Sequence, residues 1–280
     1  MYMPIRQICP LPATPLIKWI GGKSQLLMKL RASMPKSYNT YYEPFFGGGA
    51  LFCNIRPNKS VINDINPKLI NMYNVVKSDT ENLIKLLDDL QQQYNNLNTM
   101  QEKETMFFRI RDLFNAEQYS TEQAAHFLFL NKTCFNGLYR TNLNNEFNSS
   151  FNRTDTVNLY DAKNMYNFAK LLQTTTISNT DFEEAVKTAT TNDFVFFDSP
   201  YMNTDSRYDA NRFSEQDQIR LFRLAESLTE VGCVVMLTNN DCEFIRQLYS
   251  SFKITQVNVN RLINCDAGNR TGSEVIITNY

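Results

Sequence analysis

A turn with reactive side chains follows an apolar run at residues 194–197, and its sequence is Asp198-Ser199-Pro200-Tyr201. Such a run predicts a buried strand, and α/β folds bind ligands at the carboxyl ends of their strands. The turn offers a carboxylate, the Ser199 carbonyl held beside a rigid proline, and an aromatic face. An exocyclic amine on a planar base could donate to Asp198 and to that carbonyl while Tyr201 stacks on the ring. Its lone pair could then attack a sulfonium methyl group without a metal or a covalent enzyme intermediate.

A second candidate site is the stretch EPFFGGG at residues 43–49. Three glycines between a predicted strand and a predicted helix let a ligand approach the backbone, and a helix N-terminus favours a carboxylate or phosphate. The spacing is neither the dinucleotide motif nor a P-loop. Asp64 ends the next predicted strand, where an acid can accept hydrogen bonds from two ribose hydroxyls. Both features fit a nucleoside cofactor without an essential pyrophosphate, such as S-adenosylmethionine (SAM). The alternative is a tight turn with a helix cap.

The elements around these two stretches predict a doubly wound α/β sheet with an inserted helical lobe. A helix is predicted from Ser24 to about Met34, and another follows the glycines through Ile55. After residue 66 the alternation of strands and helices stops. Only helical periodicity follows, at residues 67–78, 80–97, 101–117 and 121–135. We therefore predict a helical lobe at residues 67–155, inserted into one catalytic domain made of residues 1–66 and 156–280.

The α/β pattern returns after the lobe. Ser214 is predicted to open a helix that stops at Gly232, and residues 241–250 also favour a helix. The predicted strands of the whole chain are residues 41–45, 60–66, 174–182, 193–201, 233–240, 253–259 and 274–280.

The composition indicates a folded globule with unevenly placed charge. The 42% hydrophobic content argues against disorder, and no apolar run has the length of a membrane span or the flanks of a signal peptide. We therefore expect an intracellular protein without a membrane partner. The net charge is −1, but residues 16–36, 131–153 and 246–270 carry +5, +2 and +3, which leaves −11 for the rest. A basic face for an anionic polymer is one interpretation, and solvated surface charge is the other.

Cysteine and histidine usage argues against several classes of site. The six cysteines have no CxxC spacing, so they indicate neither a zinc cluster nor a disulfide framework. The single histidine, His126, lies in an apolar helical pattern and favours a packed position. We predict no metal site.

Six stretches, in this order along the chain, resemble the motifs of one family, the Dam-type DNA adenine-N6 methyltransferases. LIKWIGGKSQLL is similar to the N-terminal motif, EPFFGGGALF to the FxGxG cofactor motif, and INDIN to the stretch with the ribose-binding acid. FNGLYRTNLNNEFN resembles the target-recognition segment, DSPY the DPPY motif, and EVIITNY the last strand. The resemblance implies a Rossmann-like, SAM-dependent methyltransferase whose target-recognition region lies between the cofactor and catalytic motifs. Its partners would be double-stranded DNA, SAM and the product S-adenosylhomocysteine.

The resemblance also implies roles for the matched residues. The catalytic turn would be Asp198, Ser199, Pro200 and Tyr201, and it would act on an adenine flipped out of the duplex. The residues that contact the cofactor would be Trp19, Lys23, Phe45, Gly47, Gly49, Asp64, Asp181, Phe182 and Asp198. The residues that contact DNA would be Lys18, Asn136, Leu138, Arg140, Asn142 and Asn148.

Among these DNA contacts, Lys18, Leu138 and Arg140 match positions that read GATC in the family. Without the resemblance, a phosphate contact or a salt bridge within the loop would be the preferred role of Arg140.

Two residues depart from the family pattern. Ser199 replaces the first proline of DPPY, and Ser150 lies near a proline that GATC readers carry, so the target is GATC or a related short site. Methylation of cytosine N4 or of an RNA adenine is one alternative, because the same turn accepts any exocyclic amine. A DNA-binding protein that keeps SAM without catalysis is another, supported by Ser199. Whether a cognate restriction endonuclease accompanies the protein is left open.

Overall fold

A seven-stranded sheet forms the centre of the structure, a computed structural model that describes residues 12–116, 118–201, 213–260 and 271–280. The strands are β1 (Tyr41–Glu43), β2 (Ser60–Asn63), β3 (Thr175–Ser178), β4 (Phe194–Phe197), β5 (Val234–Asn240), β6 (Lys253–Asn260) and β7 (Thr271–Thr278). Their order is β3-β2-β1-β4-β5-β7-β6, and β7 pairs antiparallel with both neighbours. A strand overlaps each of the seven predicted ranges, and the doubly wound fold class is confirmed. The strand order reverses between β1 and β4, and this switch point opens a crevice at their carboxyl ends.

Strand β4 is buried on both faces of the sheet. All four of its residues are buried, and successive side chains point to opposite faces. Phe194 and Phe196 belong to one apolar cluster, whereas Val195 and Phe197 belong to a second. An unbroken apolar strand is therefore needed here, because each face of β4 packs against its own layer.

The helices with their bounds are α1 (Leu27–Ser33), α2 (Ala50–Ile55), α3 (Pro67–Ser78), α4 (Thr80–Asn95), α5 (Met100–Ala116), α6 (Thr121–Thr133), α7 (Ala162–Leu172), α8 (Phe182–Ala185), α9 (Glu215–Val231) and α10 (Glu243–Leu248). Local signals placed α9 correctly. Ser214 caps it with a capping box to Asp217, and Gly232 ends it at φ 90°.

Helix α6 is the centre of the inserted helical region. It contacts α3, α4 and α5, and nine of its 13 residues are buried. His126 is half-buried on this helix, as its apolar setting predicts. Helix α3 also contacts α7 and β3, so it belongs to the layer that covers the sheet as well as to the helical region. The division of the chain at residue 67 stays a prediction.

Two parts of the sequence interpretation are wrong. Helix α7 lies where no element was predicted, and three predicted strands extend too far: the one at 60–66 ends at Asn63, the one at 193–201 ends at Phe197, and the one at 174–182 ends at Ser178. The buried Asn63 side chain turns the chain there: its Oδ1 accepts a hydrogen bond from the Thr180 N–H at 2.9 Å, and its Nδ2 donates to the Thr180 carbonyl at 3.0 Å. Asp181 then caps α8 instead of extending the strand.

Two absences apply to the described residues only. None of their helices is long and apolar enough to cross a bilayer. Within the same ranges, no group of three or more His, Cys, Asp or Glu side chains could hold a metal ion.

Candidate active site

The glycine turn after β1 brings together residues that the sequence analysis assigned to the cofactor. Gly47 and Gly49 have φ values of 48° and 65°, which side chains rarely tolerate. A Cβ atom on Gly47 would lie 2.5 Å from Cδ1 of Trp19, and one on Gly49 would lie 2.4 Å from Cζ of Phe46. The turn therefore has no room for side chains at these two positions, because the Trp19 and Phe46 rings pack directly on its backbone.

Asp64 holds the glycine turn to the end of β2. Its Oδ2 accepts a hydrogen bond from the Gly47 N–H at 2.9 Å, and its Oδ1 accepts one from the Asn66 N–H at 3.0 Å. Tyr73 donates its hydroxyl hydrogen to the Gly47 carbonyl at 2.8 Å. Burial raises the pKa of Asp64, and the two backbone N–H groups oppose that rise. Each carboxylate oxygen keeps lone-pair capacity for ribose hydroxyls, so the turn and Asp64 fit a nucleoside cofactor.

The Asp198 carboxylate lies at the end of β4, on the other side of the switch point. Its Oδ1 is 2.6 Å from the Nζ of Lys23 and accepts a hydrogen bond from the Thr238 hydroxyl at 2.6 Å. Lys23 is only 7% exposed and also donates to the Gly21 carbonyl at 2.8 Å. Both contacts that the structure describes for this carboxylate fall on the same oxygen, so the other oxygen remains able to accept a donor from a ligand.

Tyr201 lies beside the same ammonium group. The Nζ of Lys23 is 4.7 Å from the centre of the Tyr201 ring, and the Tyr201 hydroxyl donates to Oε2 of Glu274 on β7 at 2.7 Å. Burial first, and then the negative charges of Asp198 and Glu274, raise the pKa of Tyr201 far above its usual range. Tyr201 therefore stays a neutral phenol with its ring fixed at the crevice.

The two residues between Asp198 and Tyr201 differ in their hydrogen bonds. Ser199 is buried, and its hydroxyl has no hydrogen-bond partner among the residues that the structure describes. The Pro200 carbonyl accepts a hydrogen bond at 3.0 Å from the Nε2 of Gln218 on α9. The Gln218 side chain, which lies outside the turn, thus holds the backbone of the turn in place.

A third acid, Glu43, ends β1 near this site. It is 3% exposed and accepts a hydrogen bond from the Tyr41 hydroxyl at 2.8 Å. Burial raises the pKa of Glu43 well above its usual range, the nearby Asp198 charge raises it further, and the Tyr41 hydrogen bond opposes this. A buried carboxyl group that is hard to ionise therefore lies near the charged pair of Lys23 and Asp198.

Phe45 lies in an aromatic cluster at the rim of the glycine turn. Its ring centre is 5.3 Å from that of Phe182 and 5.6 Å from that of Phe213. Asp181, next in the chain to Phe182, is exposed and pairs with Arg220 at 3.0 Å, and the guanidinium of Arg220 also covers the Phe182 ring at 4.7 Å. The acid and aromatic pair is thus brought next to Phe45, but the Asp181 carboxylate is already held by a cation.

The segment after α6 forms a hairpin-like loop, with bridges that pair Cys134 with Phe151 and Thr141 with Phe147. Asn136, in the left-handed region at φ 56°, is an exposed residue of this loop. The Asn142 side chain accepts hydrogen bonds from the Asn144 and Glu146 N–H groups at 2.9 and 3.0 Å. Asn142 therefore shapes the tip of the loop through contacts with its own chain.

Arg140 and Asn148 face each other across this loop. The guanidinium of Arg140 donates through Nε to Oδ1 of Asn148 and through Nη2 to the Asn148 carbonyl, both at 2.9 Å. One edge of the guanidinium is thus fixed, and the Nη1 side extends from an exposed residue. Such an arrangement orients an arginine before it meets a ligand.

Buried Asn131 on α6 joins Lys18 to the start of the loop. Its Oδ1 accepts a hydrogen bond from the Lys18 N–H at 3.0 Å, and its Nδ2 donates to the carbonyls of Lys18 at 2.9 Å and Gly137 at 3.2 Å. Lys18, which is exposed, and the half-buried Leu138 therefore lie on neighbouring segments although they are far apart in the sequence.

Sequence reasoning missed several residues that shape this site: Glu43, Asn131, Gln218, Thr238 and Glu274. One signal was available for Thr238, because it lies near the carboxyl end of a predicted buried strand beside β4. The others are recognisable only through contacts between distant segments.

Comparisons with known proteins identify the family of this chain. The model of the family described as D12 class N6 adenine-specific DNA methyltransferase matches residues 19–263. The type II methyltransferase M.MjaIII of Methanocaldococcus jannaschii is 36% identical over 95% of this chain and 99% of that protein. M1.LlaDCHI of Lactococcus lactis subsp. cremoris is 36% identical over 95% of each chain. The DNA adenine methylase of Escherichia coli K12 is 30% identical over 94% of each chain.

Among solved structures, the rRNA methyltransferase aviRa from Streptomyces viridochromogenes aligns with 98% of this chain and 88% of its own, at a TM-score of 0.37 and 11% identity. The family match and the relatives carry the assignment. The chain belongs to the D12 class of N6-adenine-specific DNA methyltransferases and is a SAM-dependent, adenine-specific DNA methyltransferase.

Proposed function

We propose that this enzyme methylates N6 of an adenine that has been rotated out of duplex DNA, at GATC or a related short site, and that Asp198-Ser199-Pro200-Tyr201 is its catalytic turn. The helical region at residues 67–155 would read the target. Glycosylases and methyltransferases rotate a base out of the stack because its reacting atom is not accessible inside the duplex.

One observation carries the proposal: the ammonium group of Lys23 already makes one contact expected of the adenine amine, to the Asp198 carboxylate, beside the ring on which the base would stack. It lies 2.6 Å from the Asp198 carboxylate and over the Tyr201 ring. A nitrogen that carries hydrogens therefore fits between the carboxylate and the ring. We infer that Lys23 moves aside when the target base enters, so that the carboxylate exchanges one donor for another.

The residues of the turn would orient the amine. Its two hydrogens would go to Asp198 and to the Ser199 carbonyl, which turns the nitrogen lone pair out of conjugation with the ring. Thr238 would hold the carboxylate during this exchange, since its hydrogen bond to Oδ1 does not depend on Lys23. SAM, when bound, supplies the electrophilic methyl group for that lone pair. Trp19, Gly47, Gly49 and Asp64 are the residues that would hold it.

Target recognition would use the exposed side chains of two neighbouring segments. Lys18 and Arg140 are both exposed and lie on segments that Asn131 joins. A guanidinium can bind O6 and N7 of guanine with two hydrogen bonds, and Asn148 holds Arg140 by the opposite edge. Lys18 and Arg140 would therefore read the guanines of the site, with Leu138 between them in apolar contact with a base.

The test is methylation of unmethylated DNA with labelled SAM, followed by sequencing that locates the modified bases. Modified adenine in GATC or a near variant is the expected result, and Asp198→Ala is expected to abolish it. Asp155→Ala is the matched control, because Asp155 also pairs with a buried lysine, Lys103, at 3.1 Å. Modified cytosine, or an active and folded Asp198→Ala variant, would contradict the proposal.

A further inference from the structure

A chain of buried amide groups fixes the catalytic turn from behind. The Asn240 N–H donates to Oδ1 of Asn239 at 2.9 Å, and Nδ2 of Asn239 donates to Oε1 of Gln218 at 3.0 Å. Nε2 of Gln218 then donates to the Pro200 carbonyl at 3.0 Å. The chain of donors and acceptors thus runs from the end of β5 through α9 to the residue between Ser199 and Tyr201.

Burial restricts each amide in this chain of hydrogen bonds to one orientation. Gln218 is fully buried and Asn239 is 2% exposed. A buried amide that loses its hydrogen-bond partner is destabilising, so each side chain is held in the one orientation that satisfies its neighbour. The position of the Pro200 carbonyl is therefore tied to the rigid end of the sheet.

Strand β5 supports the turn from both of its faces. Thr238 and Asn239 are consecutive, so their side chains point to opposite faces of the sheet. Thr238 holds the Asp198 carboxylate, and Asn239 holds Pro200 through Gln218. Ser199, whose carbonyl is the proposed second acceptor for the amine, lies between these two fixed points.

Because the dihedral angles of Pro200 are restricted, the hydrogen bond to its carbonyl also sets the direction of the Ser199 carbonyl. The pyrrolidine ring fixes φ of Pro200, so ψ alone relates the peptide plane before Pro200 to the plane after it. The hydrogen bond from Gln218 fixes the carbonyl of the second plane and hence ψ. The direction of the Ser199 carbonyl in the first plane then follows.

We propose that Gln218 is a positioning residue for methyl transfer, and that it holds the Ser199 carbonyl and the Tyr201 ring in the orientation that receives the adenine amine. It provides, from outside the turn, a constraint that a second proline at position 199 would provide from within. The inference rests on the proposed role of the catalytic turn.

Two substitutions separate positioning from packing. Gln218→Met keeps the volume of the side chain and removes both hydrogen bonds. Gln218→Glu keeps the shape, and in its protonated form the carboxyl can still donate to the Pro200 carbonyl and accept from Asn239. Burial raises the pKa of the introduced carboxyl, so the fraction that can donate grows as the pH falls.

The measurements are single-site methylation kinetics, affinity for SAM and thermal unfolding. For Gln218→Met we expect kcat to fall by about 10- to 100-fold, the cost of a small misplacement of reacting groups, while the affinity for SAM changes by less than about twofold. Relative to the wild type, the activity of Gln218→Glu should rise at least about threefold between about pH 8 and about pH 6, and that of Gln218→Met should stay flat. Gln173→Met is the control, because its amide also donates to backbone carbonyls, those of Lys77 and Ala169.

The outcomes are distinct. Wild-type kcat in Gln218→Met, with Asp198→Ala inactive, would overturn the positioning role and leave the catalytic turn in place. Loss of activity in both Gln218 variants without the pH-dependent recovery would reduce Gln218 to a structural residue and also overturn it. Normal methylation by a folded Asp198→Ala variant would instead reject the active site itself, and this inference with it.

Discussion

The ion pair of Lys23 and Asp198 predicts that a second substitution can restore the stability lost by the first without restoring methyl transfer. Asp198→Asn keeps the shape of the side chain but leaves the buried ammonium of Lys23 without its counterion. Removing one partner of a buried pair costs about 3–5 kcal/mol, and the lower end applies because the Asn amide oxygen and the Gly21 carbonyl still accept from Lys23. For 280 residues, an unfolding entropy of about 2.1 cal/mol/K per residue converts about 3 kcal/mol into a Tm lowered by about 5 °C.

Removing the second charge should restore that stability. In Lys23→Met/Asp198→Asn neither member of the pair carries a charge, so Tm should recover most of the loss, while methyl transfer stays absent because the carboxylate is gone. Thermal unfolding without SAM and the labelled-methyl assay measure the two properties. Asp155→Asn is the control and should shift Tm less, since the Asp155 side chain is 87% exposed. A double variant less stable than Asp198→Asn alone would refute the reasoning.

Three further predictions concern residues outside this pair. Asp64→Ala should weaken SAM binding by more than about tenfold, because it removes ribose hydrogen bonds and loosens the Gly47 turn. The affinity for DNA without cofactor should not change, and a variant that binds SAM as tightly as the wild type by calorimetry would show that Asp64 does not contact the cofactor. Ser199→Ala should raise the free energy of unfolding, measured in urea, by about 1 kcal/mol, because it deletes a buried hydroxyl without a hydrogen-bond partner. A decrease of about 1 kcal/mol would mean that the hydroxyl does have a partner. Arg140→Ala should relax discrimination at one guanine-bearing pair by about 1–3 kcal/mol on a library of GATC variants, and Asn148→Ala should do so more weakly. An equal drop on every sequence would make Arg140 a backbone contact.

Local signals in the sequence were enough for much of the fold. Ser214 and Gly232 bound α9 through a cap and a left-handed residue, which depend only on nearby residues. Helix α7 was missed although Met165, Phe168 and Leu172 have helical spacing and are buried. The strand that the sequence extended to residue 182 fails for another reason: the bonds that end it come from Asn63, 117 residues away.

The same limit applies to the candidate site. Asp198 and the glycines were identifiable because their types and their place after strands are local properties. Thr238 and Glu274, which hold Asp198 and Tyr201, are 40 and 73 residues away from them. Only the order of strands in the sheet brings them together.

The hydrogen bonds of Asn131 have a consequence for the redesign of target choice. They join the backbone of Lys18 to the loop that carries Arg140, although Lys18 and Asn131 are 113 residues apart in the sequence. A hairpin grafted alone from a relative would arrive without the N-terminal segment that its Gly137 carbonyl shares with Lys18 through one amide. Exchange of sequence preference between such enzymes should therefore require three pieces to travel together: the segment around Lys18, the end of α6 and the hairpin.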